Sequence, residues 1–333
     1  MAGLRYVDAL DAAWNDHQAP RAVDAPTVVS TFAGIGGSSL GYSMAGYREL
    51  LAVEWGDRPV ATFRANFPDV DVFHGDIASL SVADALARTG LKPGELDVFD
   101  GSPPCQGFSM AGRRVMDDPR NRLFQEYVRL LRGFQPRAFV MENVSGMVSG
   151  RMRLIFVDIL RELRASGYRV SASVLDAAYF GVPQHRRRII FVGIREDLDR
   201  EPSHPLAQNR LFGPPREVGA SERWLTEREQ EGARAHRARH RAKGNGFGFQ
   251  VLTERKPAPT WPKTKIIQTS PLWLESGDRL RAPSLAELHW IGSFPTNFTF
   301  TGGYDATWAG IGNCVPPLFM RAIALHVRGI LER

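Results

Sequence analysis

Cysteine is nearly absent. The 333 residues hold two, Cys105 and Cys314, which excludes a disulfide framework and a multi-cysteine zinc site. His236 and His240 stand four apart with no third ligand in view, so no metal site is expected. No apolar run approaches the length of a membrane span, and the N-terminus lacks the basic-then-apolar pattern of a secretory signal. A cytoplasmic protein with no membrane partner is therefore expected. No internal repeat recurs. Acidic residues are the minority charge, 36 against 42 Lys and Arg, leaving a net +6. Such an excess suits a polyanionic partner and is equally compatible with plain solubility.

What is present is an alternation of apolar runs and helical spacing. Thr27 to Ala33, Leu50 to Val53, Val70 to Phe73, Leu96 to Phe99, Ala138 to Met141, Val170 to Leu175 and Arg188 to Ile194 read as strands. Val60 to Phe67, Leu123 to Phe134 and Leu154 to Ser166 carry helical spacing between them. This is the rhythm of a doubly wound α/β sheet. Residues 1–26 are polar and weakly periodic. From Arg195 to about Leu280 the pattern gives way to Pro-, Gly- and Arg-rich sequence, read as a second, less regular domain. Helical spacing resumes at Leu285 to Trp290 and Leu318 to Leu331.

Chemistry-bearing residues gather where the strands end. Gly101-Ser102-Pro103-Pro104-Cys105-Gln106 presents a thiol on a proline-stiffened loop at the carboxyl edge of a strand, the edge where open α/β sheets place ligands. A lone cysteine is more often a small buried hydrophobe, but two prolines and Gln-Gly disfavour the regular structure that would bury it. Phe32-Ala33-Gly34-Ile35-Gly36-Gly37 follows the first strand, and its glycines permit a sharp turn and close approach to a ligand. Ser39 stands where a dinucleotide fingerprint wants a third glycine, which disfavours a nicotinamide cofactor without excluding it. Glu54 ends the second strand and Asp76 is placed at the end of the third. Glycine loop, Glu and Asp on consecutive strand ends describe a nucleoside-shaped pocket, although each acid alone fits a solvated turn.

Glu142 closes the next strand and reads equally as a general acid, its pKa raised by desolvation, or as a cap for the following helix. In Gln184-His185-Arg186-Arg187-Arg188, period two puts Arg186 and Arg188 on one face, where two guanidiniums suit an anionic or carbonyl-rich substrate. The alternative is a solvated basic cluster.

In this order the motifs resemble those of the cytosine-C5 DNA methyltransferases, from about Thr27 to Val315. The resemblance implies a Rossmann-like methyltransferase sheet with a smaller target-recognition domain. Its parts would be an N-terminal extension (1–26), a catalytic domain (27–194), the recognition domain (195–280) and a C-terminal segment returning to the catalytic domain (281–333). It implies S-adenosylmethionine as cofactor, contacted by Phe32, Ala33, Gly34, Gly36, Gly37, Glu54, Trp55, Asp76, Ile77, Pro104, Asn313 and Val315. Cys105 becomes the nucleophile that adds to cytosine C6, with Glu142 at N3 and Arg188 and Arg186 near O2 or the phosphate.

Double-stranded DNA becomes the partner, the target base being flipped out. Gln106 and Ser109 are candidates for the vacated gap. Arg239, Arg241 and Lys243, in the basic tract Arg234 to Lys243, are candidates for phosphate contacts. That tract also reads as a solvated helix balanced by the glutamates before it. A monomer serving a restriction-modification or phage-defence system, beside a cognate endonuclease or other defence proteins, is implied, with an RNA cytosine methyltransferase as the alternative. The Gly-Asn-Gly-Phe-Gly-Phe tract at 244–249 resembles enzymes that methylate CCWGG. The sequence departs from the family at Leu285-Ala286-Glu287-Leu288-His289-Trp290, where Arg-Glu and Arg-Leu are usual.

Overall fold

Val28 and Val29 lie in a run of small and β-branched residues that can be buried on both faces, as a central parallel strand must be. The run forms β1 (Thr27–Thr31), buried throughout. The structure is a computed structural model that describes residues 2–104, 122–148, 150–208, 211–217, 223–246, 248–275 and 278–332. Around β1 a seven-stranded sheet assembles in the order β3-β2-β1-β4-β5-β7-β6. Its members are β2 (Arg48–Glu54), β3 (Asp71–His74), β4 (Val98–Gly101), β5 (Ala138–Val144), β6 (Tyr168–Asp176) and β7 (Arg187–Arg195). The first five strands in chain order pair in parallel. β7 is antiparallel to both β5 and β6.

Helices α2 (Gly37–Met44), α3 (Asp57–Asn66), α4 (Val82–Thr89), α5 (Arg122–Phe134) and α6 (Arg153–Arg164) connect these strands. α5 shows why the periodicity was legible. It buries Phe124, Tyr127, Val128, Leu131 and Phe134, an i, i+3, i+4, i+7 stripe, in one core with Phe99, Phe139 and Phe191. Each such side chain contributes about 1.5–3 kcal/mol of hydrophobic stabilisation.

Two compact units emerge. One comprises residues 16–176, 187–206 and 320–333 and holds the seven-stranded sheet. The other comprises 1–15, 177–186 and 207–319. This division crosses the sequence boundaries: residues 177–186 and most of 281–333 go with the second unit, not with a catalytic domain ending at 194. The second unit contains a four-stranded sheet, β8-β11-β10-β9, built from β8 (Arg223–Trp224), β9 (Gln250–Val251), β10 (Pro271–Leu274) and β11 (Leu280–Ala282). Against it stand α7 (Glu227–Ala242), α8 (Leu285–Ile291) and α9 (Gly303–Asn313), and Leu225, Ala233, Phe249, Leu272 and Leu280 form its core.

The polar first residues form α1 (Ala2–Gln18), whose Tyr6 is buried and donates to the Trp290 carbonyl at 3.2 Å. The last helix is α10 (Pro317–Leu331). Gly303–Leu331 is long and apolar enough to cross a membrane by length and composition, contrary to the sequence reading, but most of it is buried in the protein. Cys314, Val315 and Pro316 interrupt it.

Candidate active site

The glycine turn owes its shape to residues held at positive φ: Phe32 (56°), Gly34 (58°) and Gly36 (92°). Gly36 caps α2, and a Cβ there would lie 2.5 Å from Phe67, so both its angle and its surroundings demand glycine. Gly37 starts the helix, and the Ala33 N–H returns to the Val53 carbonyl at 3.1 Å. Glu54 does more than end β2. Its Oε2 accepts from the Gly34 N–H at 2.8 Å, and its Oε1 accepts from the N–H groups of Trp55 and Gly56 at 3.0 and 2.9 Å. A carboxylate offers about four acceptor sites, so the turn leaves room for one further donor. Trp55 beside it is 78% exposed.

Asp76 does not end a strand. β3 stops at His74, and Asp76 caps the short 3₁₀ turn Ile77–Ser79, accepting from the Ala78 N–H at 2.9 Å, because an aspartate before a turn satisfies the first free amides. Its carboxylate is exposed while Ile77 is buried.

At the next sheet edge the register explains a pairing. Val144 lies opposite Arg188 on β7, and Glu142, two residues back, shares the face of Val144. Diagonal neighbours of this kind are within reach of long side chains, and Arg188 Nε stands 2.7 Å from Glu142 Oε1, both side chains largely buried. Glu142 is thus half of an ion pair inside a strand, neither a lone desolvated carboxyl nor a helix cap. Asn143, 5% exposed, donates from Nδ2 to the Pro103 carbonyl at 2.9 Å and accepts from the Val144 N–H at 2.9 Å. It ties the lead-in of the cysteine loop to β5. Pro104 is exposed at the end of that lead-in. Cys105, Gln106 and Ser109 lie outside the described residues.

Arg186 departs from expectation. β7 begins at Arg187, so period two does not extend to Arg186. Its guanidinium, 3% exposed, donates to the carbonyls of Gly312 at 3.0 Å and Trp261 at 3.4 Å. Through these contacts it serves the second unit's backbone, as does Gln184, which accepts from the Trp261 N–H and donates to the Ile291 carbonyl. Asn313 is exposed at the end of α9 and Val315 is buried, both in the second unit.

The basic tract forms α7, opened by a capping box of Thr226 and Glu229, with Arg239, Arg241 and Lys243 exposed at its end. His236 and His240 stack at 4.5 Å, and no cluster of three metal-ligating side chains occurs among the described residues. The atypical helix α8 is anchored by Glu287. Fully buried, Glu287 accepts from Arg281 at 2.8 and 2.9 Å, from Trp273 Nε1 at 3.0 Å and from the Ser284 N–H at 2.8 Å.

Sequence reasoning missed a polar group behind the glycine turn. Burial, and then the neighbouring Glu49 carboxyl, pushes Asp100 well above the usual carboxylate range, and Tyr42 on α2 hydrogen-bonds it at 3.2 Å. Burial likewise pushes Glu49 up to about 7, against a hydrogen bond from Ser39 Oγ at 3.0 Å. The signal was an acid abutting each of two apolar runs, Glu49 before Leu50 and Asp100 after Phe99.

A family model described as C-5 cytosine-specific DNA methylase matches residues 27–328. The Type II methyltransferase M1.HphI of Haemophilus parahaemolyticus is 35% identical over 321 residues, covering 90% of this chain and 85% of the relative. M.HpaII of Haemophilus parainfluenzae is 33% identical over 238 residues, 68% of this chain and 64% of the relative. Among solved structures, the Entamoeba histolytica methyltransferase EhMeth superposes with a TM-score of 0.71 at 18% identity, covering 93% of this chain and 100% of that one. A DNA modification methyltransferase encoded within an E. coli prophage gives 0.70 at 22% with the same coverage. At these identities the structures speak for the α/β fold alone.

Proposed function

We propose that this chain, which belongs to the C-5 cytosine-specific DNA methylase family, methylates a flipped-out cytosine in a short duplex sequence through a covalent Cys105 adduct, using S-adenosylmethionine. The observation that carries the reading is the Glu142–Arg188 pair beside the Asn143-anchored lead-in to Cys105. The residues of the glycine turn fit the cofactor. Glu54 keeps one acceptor site for a ribose hydroxyl, exposed Trp55 offers an aromatic face, and exposed Asp76 has an oxygen for an amino donor. Gly34 allows close approach, since a Cβ there would find no atom nearer than 4.0 Å. Phe32, Ala33, Gly36, Gly37 and Ile77 shape this turn and its floor, with Pro104 as a further contact. When bound, S-adenosylmethionine supplies an electrophilic methyl group.

Cytosine C5 is a poor nucleophile, and the protein's own groups supply the remedy. The Cys105 thiolate adds to C6, placing enamine character at C5. A free thiol of pKa about 8.5 is only a few per cent ionised at neutral pH, so the site favours the anion on substrate binding. Glu142, held by Arg188, hydrogen-bonds or protonates N3, and the guanidinium of Arg188 lies where charge at O2 develops. Methyl transfer leaves S-adenosylhomocysteine; the C5 proton then passes to solvent, its bonding pair re-forms the C5–C6 double bond as the S–C6 bond breaks and returns the thiolate, and a proton given to N3 goes back to Glu142. C6 is inaccessible in a stacked duplex, so the base swings out at a cost of a few kcal/mol. Gln106 and Ser109 occupy the gap. Arg239, Arg241 and Lys243 contact phosphates.

The names of the relatives, Type II methyltransferases, support a type II restriction-modification setting, to which we add a cognate endonuclease as partner. Within it we place a cytoplasmic monomer, with CCWGG as the target to test first. The experiment is bisulfite sequencing of DNA from a methylation-deficient host expressing this chain, with Cys105→Ala alongside. Protected cytosines in one motif, absent with Cys105→Ala, are expected. An unmodified genome despite folded protein refutes the DNA reading and turns attention to RNA.

A further inference from the structure

The segment just before the family-matched span bears on the glycine turn from behind. Arg21 sits at the carboxyl end of α2, where the last helical carbonyls lack partners within the helix and favour a cation. Its Nη2 donates to the Ser43 carbonyl at 2.7 Å, to Ser43 Oγ at 2.8 Å and to the His17 carbonyl at 3.0 Å. Nη1 donates to the carbonyls of Asp16 and Ala19 at 2.9 and 2.8 Å, and Nε reaches the Tyr47 carbonyl at 3.3 Å. One guanidinium therefore closes the end of α1 and the end of α2 together. Two more cations join it from α10, Arg321 on the Met44 carbonyl at 3.3 Å and Arg328 on the Ala45 carbonyl at 3.4 Å.

The other end of α2 is reached through rings. His17 bonds Ser43 Oγ at 2.7 Å and sets its ring edge-on to Phe67 at 5.3 Å. Phe67 stacks on Phe63 at 4.7 Å, and these two rings fill the space over Gly36 that a Cβ would need. Burial, then the charge of Arg21, pushes His17 down to about 4, so it packs as a neutral ring near neutral pH. α2 has eight residues, too few to hold its own shape in water, yet its first turn must present the amides of the glycine loop.

We propose that Arg21 and His17 are positioning residues for the cofactor: by fixing both ends of α2 from outside the family-matched span, they hold the Gly34–Gly37 turn in its ligand-ready shape. This rests on the cofactor reading above.

The experiment uses the full chain with Arg21→Ala and Arg21→Lys. Calorimetry reads the Kd for S-adenosylhomocysteine, and hydrogen exchange of the ligand-free protein reads the amides of residues 34–47 beside those of the seven-stranded sheet. Arg21→Ala is expected to raise Kd about tenfold, equivalent to about 1.4 kcal/mol, with faster exchange confined to residues 34–47. Exchange in β5 and β7 and the KM for DNA should stay put. Arg21→Lys, which keeps the charge but cannot span six acceptors, is expected to raise Kd about threefold. A wild-type Kd in folded Arg21→Ala overturns the proposal, as does exchange that quickens equally across the sheet. Should Arg21→Ala fail to fold, a wild-type Kd in Arg21→Lys overturns it instead. If the wild-type chain itself binds no S-adenosylhomocysteine, the cofactor reading fails and this role fails with it. Unchanged exchange in ligand-free Arg21→Ala removes the clamp alone.

Discussion

Asn143→Asp alters the hydrogen-bonding sense of one atom and keeps the shape of the side chain. Oδ1 can still accept from the Val144 N–H at 2.9 Å, while the atom facing the Pro103 carbonyl, also at 2.9 Å, ceases to donate. The site is buried, so the carbonyl loses a partner without gaining water, a deficit of about 1–3 kcal/mol. If the lead-in to Cys105 relaxes to relieve it, the nucleophile leaves its working position. At about 1.4 kcal/mol per tenfold, single-turnover methyl transfer should fall by a factor of about 5 to 140. Cofactor affinity should hold, because the glycine turn is fastened by Glu54 and not by Asn143. Rapid-quench kinetics with labelled S-adenosylmethionine, beside a denaturation curve, make the test. A folded Asn143→Asp enzyme turning over at the wild-type rate refutes the idea that this bond positions the cysteine loop.

Glu49→Gln tests the buried carboxyl behind the turn. With its folded pKa raised from 4.5 to about 7, the native state keeps a proton that the unfolded chain releases, so stability present below about pH 4.5 is lost as pH climbs through 7. Gln removes that loss, and urea denaturation should find the variant more stable by up to about 3 kcal/mol at pH 8.5 and equal to wild type near pH 4; parallel pH profiles refute it. Replacing Arg239, Arg241 and Lys243 together by Ala should flatten the plot of log affinity for DNA against log salt by up to about 3, since each phosphate contact contributes about 0.9; an unchanged slope removes α7 from the DNA interface. Gly36→Ala meets a φ of 92° and the Phe67 ring, and should cost about 2–4 kcal/mol by chemical denaturation; a loss under about 0.5 kcal/mol means the turn is softer than described.

The strands of the large sheet were legible because buried parallel strands write themselves as apolar runs, and α5 because its stripe repeats at helical spacing. α1 carried the same kind of signal, its buried Tyr6, Leu10 and Ala13 standing at i, i+4 and i+7, but three positions make a much shorter stripe than that of α5. β8 and β9 have two residues each, too short for any period to register. At the site, Glu142 and Arg188 were both recognisable at strand ends, but their union depends on β7 running antiparallel, which no local pattern announces. Arg186 misled because a strand period was carried one residue past the strand's start. Glu54 was legible as the end of β2, whereas one of its three backbone donors, Gly34, comes from a turn twenty residues earlier that is held at positive φ.

The order of residues in the sheet-bearing unit sets a timetable for its making. Its last piece, Met320 onward in α10, is separated from the rest by residues 207–319, and it supplies buried Met320, Ile323, Ala324 and Val327 with the Ala324 carbonyl that Tyr47 bonds at 3.1 Å. At roughly 5–20 residues per second, the ribosome spends on the order of ten seconds on that excursion. Throughout it, the apolar bed awaiting α10 stands open to water. Closing so long a loop costs about 4 kcal/mol of chain entropy, recovered only when the final helix docks. A newly made chain thus acquires a complete sheet unit last, after every residue of the second unit has already been synthesised.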